Sequence, residues 1–142
     1  MRFLIVYLDI IELKNWHKSF HFGIGSLSAF LKKNGHNVDL YYLNSFPSDS
    51  EIKKNIDLFK PDIVGISSTS AQSQYIAPLS AKIKQCSDIP IICGGIHAIL
   101  APEELIKIPD VDMVCTGEGE LPVIELLNTL QEKKDFTFTK GI

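Results

Sequence analysis

The chain is poor in the features that mark secreted, membrane-spanning or nucleic-acid-binding proteins. Its 142 residues contain three cysteines, Cys86, Cys93 and Cys115. No two of them form a CxxC pair, and an odd number cannot close a secreted disulfide framework. Basic excess is absent too: 14 Lys and Arg against 17 Asp and Glu give a net charge of -3, no electrostatic footprint for nucleic acid. No apolar run is long enough to cross a bilayer. The N-terminal run Phe3–Leu8 is too short for a signal-peptide core and has no small-residue cleavage site behind it. There is no repeat or low-complexity tract, and no Ser-His-Asp, paired-carboxylate or Walker A pattern. The expectation is one cytoplasmic domain, with no nucleic acid or membrane as partner and no catalytic or metal-ligating residue of its own. A hydrophobic content of 45% is enough for a proper core at this length.

What is present is an alternation of short apolar runs and helix-period segments, the mark of βαβ units and a parallel sheet. Five runs, Arg2–Leu8, Val38–Leu43, Asp62–Ser67, Pro90–Cys93 and Asp112–Cys115, are apolar enough to be strands covered on both faces. The first and third are richest and should be central. Helices are expected over Gly25–Asn34, stopped by Gly35, and from a Ser48/Glu51 capping box, with Ile52, Ile56 and Phe59 on one face, to before Pro61. Others are expected over Gln72–Gln85, where Pro78 predicts a kink, over Glu103–Ile106 after Pro102 at N1, and over Leu121–Gln131. Cys93 and Cys115 lie in strand patterns and read as buried, inert thiols; Cys86, at a helix end, reads as surface-facing. Right-handed crossovers give an α/β, doubly wound, flavodoxin-like (Rossmann-like) sheet of order 2-1-3-4-5 with helices on both faces. The domain spans 1–132, and 133–142 is a tail, a short edge strand or a lead into a further domain.

In such a sheet ligands bind at the carboxyl ends of the strands, near the topological switch point, and four of the five loops there are unusual. After strand one, Asp9–Phe22 is long for a βα connection; its Trp16, His17, Phe20, His21 and Phe22 either pack on a partner or fold back as a mini-core. Gly23-Ile24-Gly25 follows, allowing backbone approach to a polar group at a helix start. After strand three comes Ser67-Ser68-Thr69-Ser70, more hydroxyls than one N-cap requires, which favours hydrogen bonding to a ligand. After strand four, Gly94-Gly95 leaves a side-chain-free floor for a flat ligand, beside His97, read as a hydrogen-bonding group. After strand five, Gly117-Glu118-Gly119 flanks an acid that serves equally as a helix-start carboxylate or a ligand acceptor. Asp9 is not a phosphorylatable receiver aspartate, which would stand on strand three, where serines are found.

Taken together in order, Ile91-Ile92-Cys93-Gly94-Gly95-Ile96-His97-Ala98, Pro102-Glu103-Glu104-Leu105 and Asp112-Met113-Val114-Cys115-Thr116-Gly117-Glu118-Gly119-Glu120, behind a hydroxyl-rich strand three, resemble the N-terminal cobalamin (B12)-binding domain of B12-type radical SAM enzymes, methyltransferases and oxidative cyclases among them. The resemblance runs from strand one to the last helix. It implies a corrinoid lying across the strand ends with its nucleotide tail running toward the first helix. By position, Ser67, Ser68 and Thr69 would face the tail or the corrin side chains, and Gly94, Gly95 and His97 would floor the corrin. Gly117 and Glu118 would close the rim, and Gly23 and Ile24 would line the tail slot.

Two departures qualify it. B12 domains of the mutase and methionine synthase kind carry D-x-H-x-x-G after strand one, with a cobalt-ligating histidine. Here the segment reads Asp9-Ile10-Ile11-Glu12-Leu13-Lys14, with isoleucine in the histidine's place, so a His-ligated cobalt is not expected. The chain also lacks CxxxCxxC, the motif whose thiolates hold a [4Fe–4S] cluster beside S-adenosylmethionine; that chemistry would belong to a radical SAM barrel elsewhere in a longer parent enzyme. The alternatives are a degenerate domain of this fold serving as a non-catalytic interaction module, and a flavodoxin-like domain for another flat cofactor such as FMN. The latter lacks the Ser/Thr-rich phosphate cradle expected after strand one.

Overall fold

In the computed structural model, which describes residues 1–10, 21–132 and 141–142, five parallel strands form one sheet in the order β2-β1-β3-β4-β5. They are β1 (Arg2–Leu8), β2 (Asn37–Leu43), β3 (Ile63–Ser67), β4 (Ile91–Gly94) and β5 (Met113–Val114). The expected order and the central place of the first and third strands hold: each has a neighbour on both sides. β5, at one edge, is shorter than its apolar run. Its flanks still pair with β4, Asp112 N–H donating to Ile91 O at 3.0 Å and Cys115 N–H to Cys93 O at 2.8 Å.

The side-chain alternation of β1 assigns the two layers. Leu4, Val6 and Leu8 point into one core with helices α2 (Asp49–Phe59), α3 (Ile76–Cys86), α4 (Ile96–Leu100) and α5 (Pro102–Leu105). Phe3 and Ile5 point into the other, with α1 (Phe22–Lys33) and α6 (Glu120–Gln131). No helix among the described residues is long and apolar enough to cross a membrane.

Local signals explain the end of α1 and the start of α2. Gly35, at φ +84°, closes α1 in a Schellman arrangement: its N–H donates to Lys32 O and the His36 N–H to Leu31 O, each at 3.1 Å. Ser48 and Glu51 form the expected capping box, Ser48 N–H donating to Glu51 Oε2 at 2.8 Å and Glu51 N–H to Ser48 Oγ at 3.3 Å. Four expectations need correction. α1 starts at Phe22, so Gly23, Ile24 and Gly25 lie in its first turn and not ahead of it. The segment after β3 is a 3-10 helix (Ser70–Tyr75) followed by α3, which places Pro78 in the first turn of α3. There its absent N–H costs nothing and no kink is needed. Ile96–Leu100, expected as part of the loop after strand four, form the five-residue helix α4 directly off Gly95. Cys86 also turns inward: it is half-buried, its thiol donating to Ile83 O at 3.3 Å.

Candidate functional site

The switch point of this sheet lies between β1 and β3, and a cleft of about 250 Å³ opens there on the α1/α6 face. Its inner wall is Phe3 and Ile5 from β1, Gly65 and Ile66 from β3, and Ile92 from β4. Ile24 and Leu27 of α1 and Val123 of α6 form the roof. Ser26 Oγ donates to Glu120 Oε1 at 2.5 Å and so ties the two roof helices together. The mouth carries Gly23, Ser67, Gly94, Gly95, Gly117, Glu118 and Gly119, with the exposed Ile96 and Ile99 of α4.

Of the ten residues singled out in the sequence, Gly23, Ile24, Ser67, Gly94, Gly95, Gly117 and Glu118 are brought together in this cleft. Ser68, Thr69 and His97 do not line it. Ser68 is buried; its N–H donates to Gly94 O and its carbonyl accepts from His97 N–H, each at 3.3 Å. Thr69 caps the 3-10 helix, its N–H donating to Gln72 Oε1 at 3.2 Å and its hydroxyl bonding the same oxygen. His97 is buried, with Nδ1 3.3 Å from Ser70 Oγ. One hydroxyl of the cluster therefore reaches the cleft; the Ser68 backbone and the Ser70 hydroxyl tie the β3 loop to the start of α4, and Thr69 caps the 3-10 helix.

The glycines divide by what holds them. Gly95 sits at φ +90°, and a Cβ there would stand 2.8 Å from Ser68 O and 2.9 Å from Ser67 Oγ, so the fold itself requires glycine. Gly117, at φ +124°, is required by its backbone alone. Gly23 and Gly94 have neither reason. Among the described residues, a Cβ on Gly23 would meet nothing within 4 Å, and one on Gly94 only Cys115 Cβ at 3.9 Å. Glycine in a helix costs up to roughly 1 kcal/mol against alanine, so Gly23 keeps space open at a cost that no packing among the described residues offsets.

Burial raises the Cys115 thiol above its usual range, with the Glu120 carboxylate adding to it, so this cleft-lining thiol stays protonated and is a poor metal ligand. Among the described residues no group of three His, Cys, Asp or Glu side chains converges to hold a metal. Sequence reasoning missed Leu27 and Val123 as part of a site, and the polar pairs at the end of β1. There Tyr7 Oη lies 2.9 Å from His21 Nδ1, and the Tyr42 hydroxyl bonds the buried Asp9. Burial pushes Tyr7 up to about 12, helped by Asp9. Trp16, His17 and Phe20, and the Ile11 and Lys14 positions of the absent histidine motif, lie outside the described residues.

An open doubly wound sheet with a glycine-lined cleft at its switch point defines a cofactor-binding α/β domain. The sequence profile of the B12 binding domain matches residues 17–127, and the chain belongs to that family. It is 38% identical over 96 residues to an uncharacterized methyltransferase, PH0819, of Pyrococcus horikoshii, covering 66% of this chain and 20% of that protein. It is 27% identical over 123 residues to the anaerobic magnesium-protoporphyrin IX monomethyl ester cyclase of Rubrivivax gelatinosus, covering 83% of this chain and 21% of that protein. In fold it is similar to the radical S-adenosylmethionine methyltransferase TsrM from Kitasatospora setae with cobalamin and [4Fe-4S] cluster bound, at TM-score 0.86 and 17% identity, over 99% of this chain and 26% of that one. It is also similar to the cobalamin-dependent radical enzyme OxsB with aqua-cobalamin and S-adenosylmethionine bound, at TM-score 0.76 and 21% identity, over 99% of this chain and 20% of that one. The chain thus spans about a fifth of the length of the curated relatives it matches.

Proposed function

We propose that this domain holds a cobalamin at the carboxyl edge of its sheet for a B12-dependent radical SAM enzyme, with methyl transfer or a related radical reaction as the chemistry of the parent protein. One observation carries the reading: Gly23 and Gly94 keep the cleft mouth open although neither backbone conformation nor packing among the described residues asks for glycine. A broad, flat macrocycle needs that clearance. The residues fit the group. Gly94, Gly95 and Gly117 give a low floor, Ser67 and Glu118 offer hydrogen-bonding groups to corrin amides, and Gly23 and Ile24 head the slot that takes the nucleotide tail. Cobalamin supplies the cobalt-centred methyl or radical chemistry; the protein supplies seating, orientation and exclusion of water. Isoleucine at position 11, where related domains of the mutase kind carry histidine, favours a cobalt without a histidine ligand from this chain. Ser68, Thr69 and His97 then act indirectly, holding the β3 loop and α4 in place.

The exposed Ile96 and Ile99 of α4 line the mouth, and the exposed Leu100 and Leu121 directly follow lining residues in sequence, apolar surface suited to cover by a radical SAM barrel in the same parent chain. That barrel would carry the [4Fe-4S] cluster and S-adenosylmethionine. We assign 1–132 to the cobalamin domain and 133–142 to the lead toward the next one. Three free thiols suit the reducing cytoplasm.

The test is retention of hydroxocobalamin after desalting, read by the visible spectrum. The native protein should keep the corrinoid, and Gly94→Leu, whose side chain would fill the mouth, should lose it with an unchanged far-UV spectrum. Equal retention by both would remove the proposed floor, and no retention by either would remove the assignment.

A further inference from the structure

The polarity of the cleft is graded with depth. The apolar side chains that line its depth, Phe3, Ile5, Ile92, Cys115 and Val123, are each at most 3% exposed, and none carries an oxygen or nitrogen. The polar side chains that line it, Ser67, Glu118 and Glu120, are partly or fully exposed, and Glu120 is already engaged by Ser26. The wall strands spend their backbone groups on one another in the parallel ladders of β1 with β3 and β3 with β4. The buried polar side-chain atoms without a partner among the described residues, on Arg2, His21, His36 and Ser68, belong to residues that do not line the cleft. Phe3 fills the bottom because Gly65 makes room for it: a Cβ on Gly65 would stand 2.5 Å from Phe3 Cζ. The depth therefore offers apolar contact and no hydrogen bonds among the described residues.

On the corrinoid reading above, we propose that this slot selects corrinoids by the polarity of the lower base, accepting a dimethylbenzimidazole tail and discriminating against an adenine tail. Both bases are flat bicycles that a cleft of about 250 Å³ admits, so size does not separate them. Hydrogen bonding does. Adenine carries an exocyclic amine and additional ring nitrogens that are paired with water outside the protein and would be unpaired inside it. A buried donor or acceptor left unpaired lowers affinity by roughly ten-fold or more. Dimethylbenzimidazole replaces those groups with methyls, which gain from the apolar lining.

The experiment is a visible-spectrum titration of the intact protein with three probes: hydroxocobalamin, its adenine-tailed analogue and tailless cobinamide. The expected result is hydroxocobalamin at least ten-fold tighter than either of the others. Leu27→Gln, which sets an amide in the roof next to Val123, should narrow the ratio between the two tailed corrinoids by several-fold. Adenine-tailed corrinoid binding within three-fold of hydroxocobalamin overturns the selectivity and leaves the corrinoid site standing. Cobinamide binding as tightly as hydroxocobalamin removes the tail from the slot, with the same consequence. Failure of all three probes to bind overturns both readings.

Discussion

Adjacent Gly94 and Gly95 are assigned different work, and one substitution at each separates the two. Gly95→Ala puts a methyl on a backbone at φ +90°, where it would stand 2.8 Å from the Ser68 carbonyl oxygen and 3.1 Å from the Ser68 nitrogen. Neither neighbour is a flexible side-chain end, because the β3 loop is held by Ser68 N–H to Gly94 O and by His97 N–H to Ser68 O. Holding a non-glycine residue in that conformation costs roughly 1–3 kcal/mol, and forcing an extra methyl into a packed site roughly 1–3 kcal/mol more. The sum is a loss of about 2–6 kcal/mol, or an unfolding midpoint roughly 6–18 °C lower for a domain of this size. Gly94→Ala meets only Cys115 Cβ at 3.9 Å, an ordinary contact, and should change stability by less than about 1 kcal/mol. Urea unfolding followed by far-UV circular dichroism reads both. Equal losses from the two variants, or a Gly95→Ala protein as stable as the native one, would refute the division of labour.

Ser48→Ala removes one half of the capping box with Glu51 and should cost about 1 kcal/mol; an unchanged urea midpoint would mean α2 is held by Ile52 and Ile56 alone. Alkaline pH should destabilise the fold in a defined window. Burial raises the Cys93 thiol from 9.0 to about 12, and burial, with Asp9, raises Tyr7 and Tyr42 from 10.0 to about 12. In each case the folded state holds its proton more tightly than the unfolded chain. That stability is complete below about pH 9 and is lost as pH rises from there toward 12. Unfolding free energies measured between pH 8 and 11 should fall with pH, and Cys93→Ala should flatten the first part of the fall; a flat native profile would contradict the burial of these groups.

The sheet was legible because each strand is covered on both faces and so reads as a nearly unbroken apolar run, and because Gly35, Ser48 and Pro102 punctuate the helices through chemistry that is local in sequence. What was not legible depends on tertiary placement. The start of α1 at Phe22 has no capping side chain and leaves no signal. α4 is one turn long and follows a glycine pair, so its residues read as loop. Ser67, Ser68 and Thr69 are equivalent in sequence, yet the end of β3 directs one toward the cleft and commits the next two to holding the loop and capping the 3-10 helix. The roof residues Leu27 and Val123 look like any helix face. Only the packing of α1 against α6, with Leu27 Cδ2 3.7 Å and Val123 Cγ2 3.9 Å from where a Gly119 Cβ would stand, makes them the roof of a slot.

Hydrogen–deuterium exchange with and without hydroxocobalamin tests most directly whether the corrinoid lies at this edge of the sheet. Bound cofactor should slow exchange in peptides covering Phe22–Leu27, Ser67–Ser68, Gly94–Ile99 and Thr116–Glu120, and leave Asn37–Leu40 at the opposite edge unchanged. Protection confined to other segments, or none at corrinoid concentrations that saturate the spectrum, would contradict the placement.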